Sequence, residues 1–199
     1  GDHQARQLHG VVGGSTMTDA PQILLHHHLK KLRLPTFKAE YEKQAKQCAS
    51  ENKTHVQYLS RLAELEMIER ERKMIERRIK AAKFPAIKSL DSFDFKAMAS
   101  LNKTQVLELA RCEYLDRFEN VIALGPSGTG KTHIALGLGL AACQKGLKVR
   151  FITAAALVHE LIEAADERHL LRLQKQLASQ HLLIIDELGF VPLSKTGAE

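Results

Sequence analysis

From Pro21 to Lys83 apolar residues recur singly or in pairs among charged ones at helical spacing, whereas from Phe93 onward apolar residues come in longer blocks. The first texture predicts helices over "QILLHHHLKKLRL", after Pro35, and along a third segment opening at Thr54 as N-cap. In that third segment Val56, Leu59, Leu62, Leu65, Ile68, Ile75, Ile79 and Ala82 fall at three-, four- and seven-residue steps, so one stripe buries and the rest faces water. The second texture predicts strands alternating with helices. "NVIALG", Asn120 to Gly125, is a β-branched apolar run ending in glycine, as a strand buried on both faces of a parallel sheet should be. "KTHIALGLGLAACQKG" continues with helical spacing and closes on Gly146 as a helix C-terminal glycine. "KVRFIT" then predicts a strand, "AAALVHELIEAADERHLLRLQKQLA" its crossover helix, and "HLLIID" the next strand.

Between the two textures "FPAIKSLDSFDF" mixes proline, serine and aspartate with aromatics and has no period, which reads as a linker. The expected organisation is a small helical, basic domain over residues 17–83, a linker over 84–95, and an α/β domain over 96–199. The first sixteen residues, "GDHQARQLHGVVGGST", lack an apolar signal core and precede a plausible start at Met17, so residues 1–16 read as a leader or tag-like segment outside the fold.

Composition narrows the class. Lys and Arg number 29 against 23 Asp and Glu, a formal charge of +6. The excess is local: Lys30 to Lys83 holds 15 basic and 8 acidic residues. Arg70, Arg72, Lys73, Arg77, Arg78, Lys80 and Lys83 crowd the last turns of the third helix, against only Glu71 and Glu76 beyond Glu69. Such a cluster suits the phosphate backbone of DNA, and the absence of a base-reading signature predicts contact that is largely independent of sequence. A solvated face with i,i+4 pairs such as Glu69–Lys73 is the plainer alternative. The longest uncharged apolar run, "IALGLGLAAC", is about half a membrane span, so no membrane partner is expected. Cys48, Cys112 and Cys143 lie far apart without a C-x-x-C spacing, which fits packing residues in a reducing cytoplasm. His26, His27 and His28 point about 100° apart on a helix and cannot share one ion.

The chemistry sits in "GPSGTGKT", which fills the pattern G-x-x-x-x-G-K-[ST] with Gly125, Gly130, Lys131 and Thr132. Placed between a strand and a helix, the backbone N–H groups of Gly125, Pro126, Ser127, Gly128, Thr129 and Gly130 (proline excepted), with the helix's positive end at Lys131, Thr132 and His133, converge on phosphates. Lys131 adds a charge that reaches them, and the Thr132 hydroxyl is placed to ligate Mg²⁺. The second half of such a site is an acidic strand end. Leu182 to Ile185 run into Asp186 and Glu187, so Asp186 is expected to hold Mg²⁺ beside Thr132 and Glu187 to orient or deprotonate an attacking water. The adjacent glutamate favours hydrolysis over phosphoryl transfer to a metabolite, with Lys131, Asp186 and Glu187 as the candidate catalytic residues.

"FENVIALGPSGTGKTHIALGLG" with "LLIIDELGFVPLSKTGAE", preceded by "LNKTQVLELARCEYLDRFEN" and "LKKLRLPTFKAEYEKQA", resembles the IstB family. These are ATP-binding helpers of IstA/IstB-type insertion sequences, an AAA+ clade similar to the helicase loader DnaC and the initiator DnaA. The resemblance runs from about Leu24 to Glu199. It implies an α/β P-loop NTPase fold of AAA+ type, a parallel sheet flanked by helices and preceded by a small all-α domain. It implies binding of ATP and Mg²⁺, a homo-oligomer on double-stranded DNA, and assistance to the transposase of the same element in selecting or preparing target DNA. A helicase loader in DNA replication is the alternative. Phe93, in "FDF", sits where the family encloses adenine, with plain packing of the linker as the other reading. Family members continue with a sensor residue and an arginine finger acting on the neighbouring subunit, so the sheet is expected to be incomplete after Asp186 and hydrolysis correspondingly weak.

Overall fold

The computed structural model describes residues 19–98, 101–164 and 167–190. The leader assigned to residues 1–16 and the stretch after Phe190 lie outside them. The chain divides into two compact units, Gly1–Glu71 and Arg72–Glu199, and the division falls inside one long helix.

The first unit holds α1 (Asp19–Lys31), α2 (Pro35–Ser50) and the start of α3 (His55–Ala82). Each junction follows from local chemistry. After α1, Arg33 takes a left-handed φ of 55°, and the amides of Arg33 and Leu34 donate back to Lys30 and Leu29. Asn52, at φ 52°, closes α2 in the same way, its amide and that of Lys53 reaching Ala49 and Cys48. Pro35 opens α2 at a position where its missing N–H costs nothing. Thr54 caps α3 reciprocally: its Oγ1 accepts from the Gln57 amide at 3.3 Å and its own amide donates to Gln57 Oε1 at 2.9 Å. Leu29, Cys48 and Leu62 form the buried apolar contribution, with Leu62 only 1% exposed. A leucine buried to that degree contributes about 1.5–3 kcal/mol.

Among the described residues of this unit Glu66 is the buried acid. One carboxylate oxygen accepts from the amides of Thr36 at 2.8 Å and Phe37 at 3.4 Å, the open first turn of α2, and the other accepts from Arg70 Nε at 2.8 Å. α2 has no side-chain cap of its own from Leu34, so Glu66 supplies one from α3.

The second unit is a parallel two-stranded sheet with helices. β1 (Val149–Thr153) pairs with β2 (Leu182–Asp186) in the register Val149↔Leu182 to Thr153↔Asp186. The crossover contains α7 (Ala154–Glu163), capped by Thr153, and α8 (Glu167–Ala178), where the sequence predicts one continuous helix. α4 (Lys103–Leu109), capped by Asn102, and α5 (Glu113–Asp116) precede the phosphate loop. α6 (Lys131–Gln144) follows it and ends as predicted, with Gly146 at φ 78° and the amides of Gly146 and Leu147 donating to Cys143 and Ala142. Ala82, Cys112, Leu136, Ala142, Cys143, Val149, Phe151 and Ile184 form the core. Burial pushes the Cys143 thiol up to about 11 against a smaller opposing effect of Arg78, so it packs rather than reacts.

Two features differ from expectation. Asn120 to Gly125 forms no strand, and Ile122 and Leu124 are 78% and 88% exposed. A β-branched run becomes a strand only beside a ladder partner, and among the described residues β1 and β2 pair with each other and not with it. The expected linker, conversely, is tightly fitted. A Cβ on Gly137 would lie 2.6 Å from Leu90 Cδ2, and one on Gly139 2.9 Å from the Phe84 ring and 2.7 Å from Ile184 Cδ1. The two glycines of α6 thus form a seat for Phe84 and for the single 3-10 turn Leu90–Ser92.

Two outcomes follow from these contacts. Gly139→Val should lower stability to urea by roughly 1–3 kcal/mol through overpacking, although a glycine replaced in an open helix would gain up to about 1 kcal/mol. Burial raises the Glu66 pKa, but Arg70 and the Thr36 and Phe37 amides outweigh it and hold the carboxyl below its ordinary 4.5. The folded form therefore gains stability from Glu66 above pH 4.5 and loses it as pH falls through the lower folded value. Glu66→Gln should flatten the acid side of a plot of melting temperature against pH.

Candidate functional site

α6 begins at the phosphate loop, and its first residues carry the site. Gly128 and Gly130 take φ of 78° and 81°, the left-handed region that lets loop amides turn inward. Gly130 has a second constraint, since a Cβ there would lie 2.6 Å from Phe93 Cε2. The loop is braced by Thr129 Oγ1, which donates to the Pro126 carbonyl at 2.9 Å. Lys131 Nζ folds over the loop and donates to the carbonyls of Gly125 at 2.9 Å and Pro126 at 2.6 Å. A phosphate engaging this ammonium has to replace those two carbonyls.

The two halves of the site, far apart in sequence, are joined directly. Thr132 Oγ1 donates to Asp186 Oδ2 at 2.8 Å, linking the first turn of α6 to the carboxyl end of β2. Both oxygens are hard donors of the kind Mg²⁺ takes, and the helix start beside them favours negative charge. The residues present therefore suit a magnesium-bound phosphate chain. Glu187 follows at φ 61°, exposed, in a conformation that side chains rarely adopt. Strain of that kind at the end of the strand sets the direction in which the carboxylate leaves the backbone.

Phe93 lies against the loop. Its ring makes edge contacts with Phe95 at 4.9 Å and His133 at 5.1 Å between centroids. His133 Nε2 donates to the Ser89 carbonyl at 2.9 Å and lies 3.2 Å from Ser92 Oγ. The segment 89–95 is thereby pinned to the first turn of α6, and Phe93 both packs and borders the loop. Sequence reasoning gave no role to Ser89 or Ser92, which carry no motif.

The basic cluster divides into distinct environments. Arg70 is tied down by Glu66 and by the Arg33 carbonyl, to which its Nη2 donates at 2.6 Å. Arg72 pairs with Glu76, and Arg77 Nε donates to the Lys73 carbonyl at 3.1 Å. Lys80 is exposed on the last turn. Arg78 and Lys83 face a cleft that also receives Lys148 and Arg150, two cations the motif reading passed over. Their sequence signal was a charged residue, Arg150, inside an otherwise apolar strand.

A phosphate loop opening a helix, an acidic strand end bonded to it and a parallel sheet with helical crossover define an α/β P-loop NTPase-type domain. The profile of the family described as IstB-like ATP binding protein matches residues 27–199. The chain is 35% identical over 174 residues to the insertion sequence IS5376 protein of Geobacillus stearothermophilus, named for ATP binding, covering 87% of this chain and 69% of that one. It is 41% identical over 85 residues to the corresponding IS21 protein of Pseudomonas aeruginosa, 43% of this chain and 32% of that one. With a Sinorhizobium fredii insertion-sequence protein it shares 37% over 164 residues, covering 82% of this chain and 55% of the relative. The chain belongs to the IstB-like family. It spans only part of the length of these relatives, about a third to two thirds.

The Thr132–Asp186 bond is testable without ligand. Thr132→Val should cost about 0.5–1.5 kcal/mol in urea unfolding, and Asp186→Asn less, because an amide oxygen still accepts from the hydroxyl.

Proposed function

We infer that this chain is an ATP-binding helper of DNA transposition, in which Mg²⁺–ATP acts as an assembly switch. The Thr132–Asp186 hydrogen bond is the observation that carries the reading, because it brings the phosphate loop and the acidic strand end together. In this reading the amides from Gly125 to Gly130, with Ser127 and Thr129 among them, cradle the phosphates, and Lys131 leaves its loop carbonyls to bind them. Thr132 and Asp186 hold Mg²⁺, which would neutralise phosphate charge. His133 and Phe93 border the nucleotide, and Glu187 orients the attacking water. Relatives named as insertion-sequence ATP-binding proteins support the ATP part and the tie to a transposase.

The proposed organisation is a helical basic part over 17–83, a connecting segment 84–95 and a nucleotide part over 96–199. Bound nucleotide favours a homo-oligomer by differential affinity, and repeated basic faces then bind duplex DNA more tightly than one copy does. Lys73, Arg77, Arg78, Lys80 and Lys83 supply phosphate contacts, with Arg70 and Arg72 contributing after exchange of their internal partners. The partner is the transposase encoded by the same element, for which the assembly selects or prepares target DNA. Among the described residues no helix is long and apolar enough to cross a membrane, and the buried free thiols suit the cytoplasm.

Lys131→Ala should lower affinity for a fluorescent ATP analogue at least tenfold with its melting temperature nearly unchanged. Glu187→Gln should keep binding and lose phosphate release. Light scattering after size-exclusion should show an ATP-dependent multimer on duplex DNA for the unmodified chain alone. The same DNA-bound multimer from Lys131→Ala would sink the switch.

A further inference from the structure

At the amino end of the strands, opposite the Thr153↔Asp186 end that meets the phosphate loop, lies a cleft of about 310 Å³. Arg78 and Lys83 line it from the end of α3 and just beyond, Lys148 and Arg150 from the start of β1, and Ser179 and Gln180 from the turn after α8. Among the described residues no acidic side chain lines it. Its volume is at the small end of ligand clefts, which begin near 300 Å³.

Arg150 makes this more than a basic patch. Its side chain is 7% exposed, and only Nη2 is satisfied, by both Glu160 oxygens at 2.7 and 2.6 Å. Nε and Nη1 are buried and find no partner among the described residues. Unsatisfied guanidinium N–H groups beneath a cleft are an energetic cost that an oxyanion relieves.

A plainer role for these cations is to neutralise helix ends, since α3, α6 and α8 all terminate towards this end of the sheet. Magnitudes decide against it as the whole account. Three C-termini carry about −0.5 charge each, roughly −1.5 together. Glu160 offsets Arg150, so Arg78, Lys83 and Lys148 leave an excess of about 1.5 positive charges.

We propose that this cleft is a second phosphate site, distinct from the phosphate loop, which grips a phosphodiester of the DNA backbone. It rests on the DNA reading above only for the source of the phosphate. Serine and glutamine at the rim supply neutral donors, so one phosphate meets both charge and hydrogen bonds. The cleft places a DNA contact on the nucleotide unit itself, so a strand held there is held by the same body that holds ATP.

The test is duplex binding by fluorescence anisotropy over a salt series, with the full chain, its Arg78→Gln/Lys148→Gln variant, and Lys46→Gln as a control on an exposed lysine that does not line the cleft. The double variant should bind five- to tenfold more weakly at 0.1 M salt, and the slope of log K against log salt should fall by about one to two, near 0.9 per lost phosphate contact. The control should match the unmodified chain. If the unmodified chain binds duplex and the double variant matches it in affinity and slope, the cleft proposal is overturned while the DNA reading stands. If the unmodified chain binds no duplex, the DNA reading falls, and thermal shift with inorganic phosphate in a Lys131→Ala background decides the cleft. Stabilisation lost on adding Arg78→Gln/Lys148→Gln keeps a phosphate site fed by free phosphate; equal shifts overturn it.

Discussion

A single hydroxyl-to-carboxylate bond, Thr132 to Asp186, fixes how the nucleotide unit is arranged. It ties the start of α6 to the end of β2, so the positive end of a helix and the acidic end of a strand face one space. Either element alone is ordinary. Joined, they give a place where backbone amides and a helix start favour negative charge, beside two hard oxygens of the kind a divalent cation takes. The close neighbourhood has to respect that distance, which explains why α6 is anchored at several points along its length.

The anchoring comes from a segment whose composition suggested a mere connection. Phe84, Leu90 and Phe93 meet Gly139, Gly137 and Gly130, and His133 bonds to the Ser89 carbonyl. Glycine weakens a helix interior by up to about 1 kcal/mol, so two in α6 are a local conflict that packing resolves. The same contacts place Phe93 against the phosphate loop, and a shift of segment 84–95 is therefore a shift of the loop's own wall.

What could be read from the sequence was what depends on neighbouring residues. The Thr54 cap, Pro35 at the start of α2, the Gly146 ending and the strands in "KVRFIT" and "HLLIID" rest on near neighbours or on a strong apolar run. The site's two motifs were legible because each needs a fixed residue at a fixed spacing. What escaped depends on tertiary partners. Ile122 and Leu124 have strand chemistry but no ladder among the described residues. The roles of Glu66 and Arg150 depend on Thr36, Phe37 and Glu160, which no local pattern in the chain points to. Charge counting treated the cations of α3 as equal, whereas Arg70 and Arg72 are committed to nearby acids.

The polarity of an α/β layer accounts for how the two ends of the sheet differ. At the carboxyl end a helix begins, so amides and a helix start attract phosphate, and a lone lysine suffices beside them. At the amino end helices finish, and their carbonyls repel anions, so any phosphate bound there must be held by side chains in numbers that exceed the helix charge. Arg78, Lys83, Lys148 and Arg150 meet that requirement, and they do so beneath helices that belong to the nucleotide unit. Salt should therefore act unequally on the two ends, screening exposed Lys83 and Lys148 strongly and the bonded amides of the loop weakly. A protein built this way would keep a phosphate at the loop at an ionic strength that already loosens one held in the cleft.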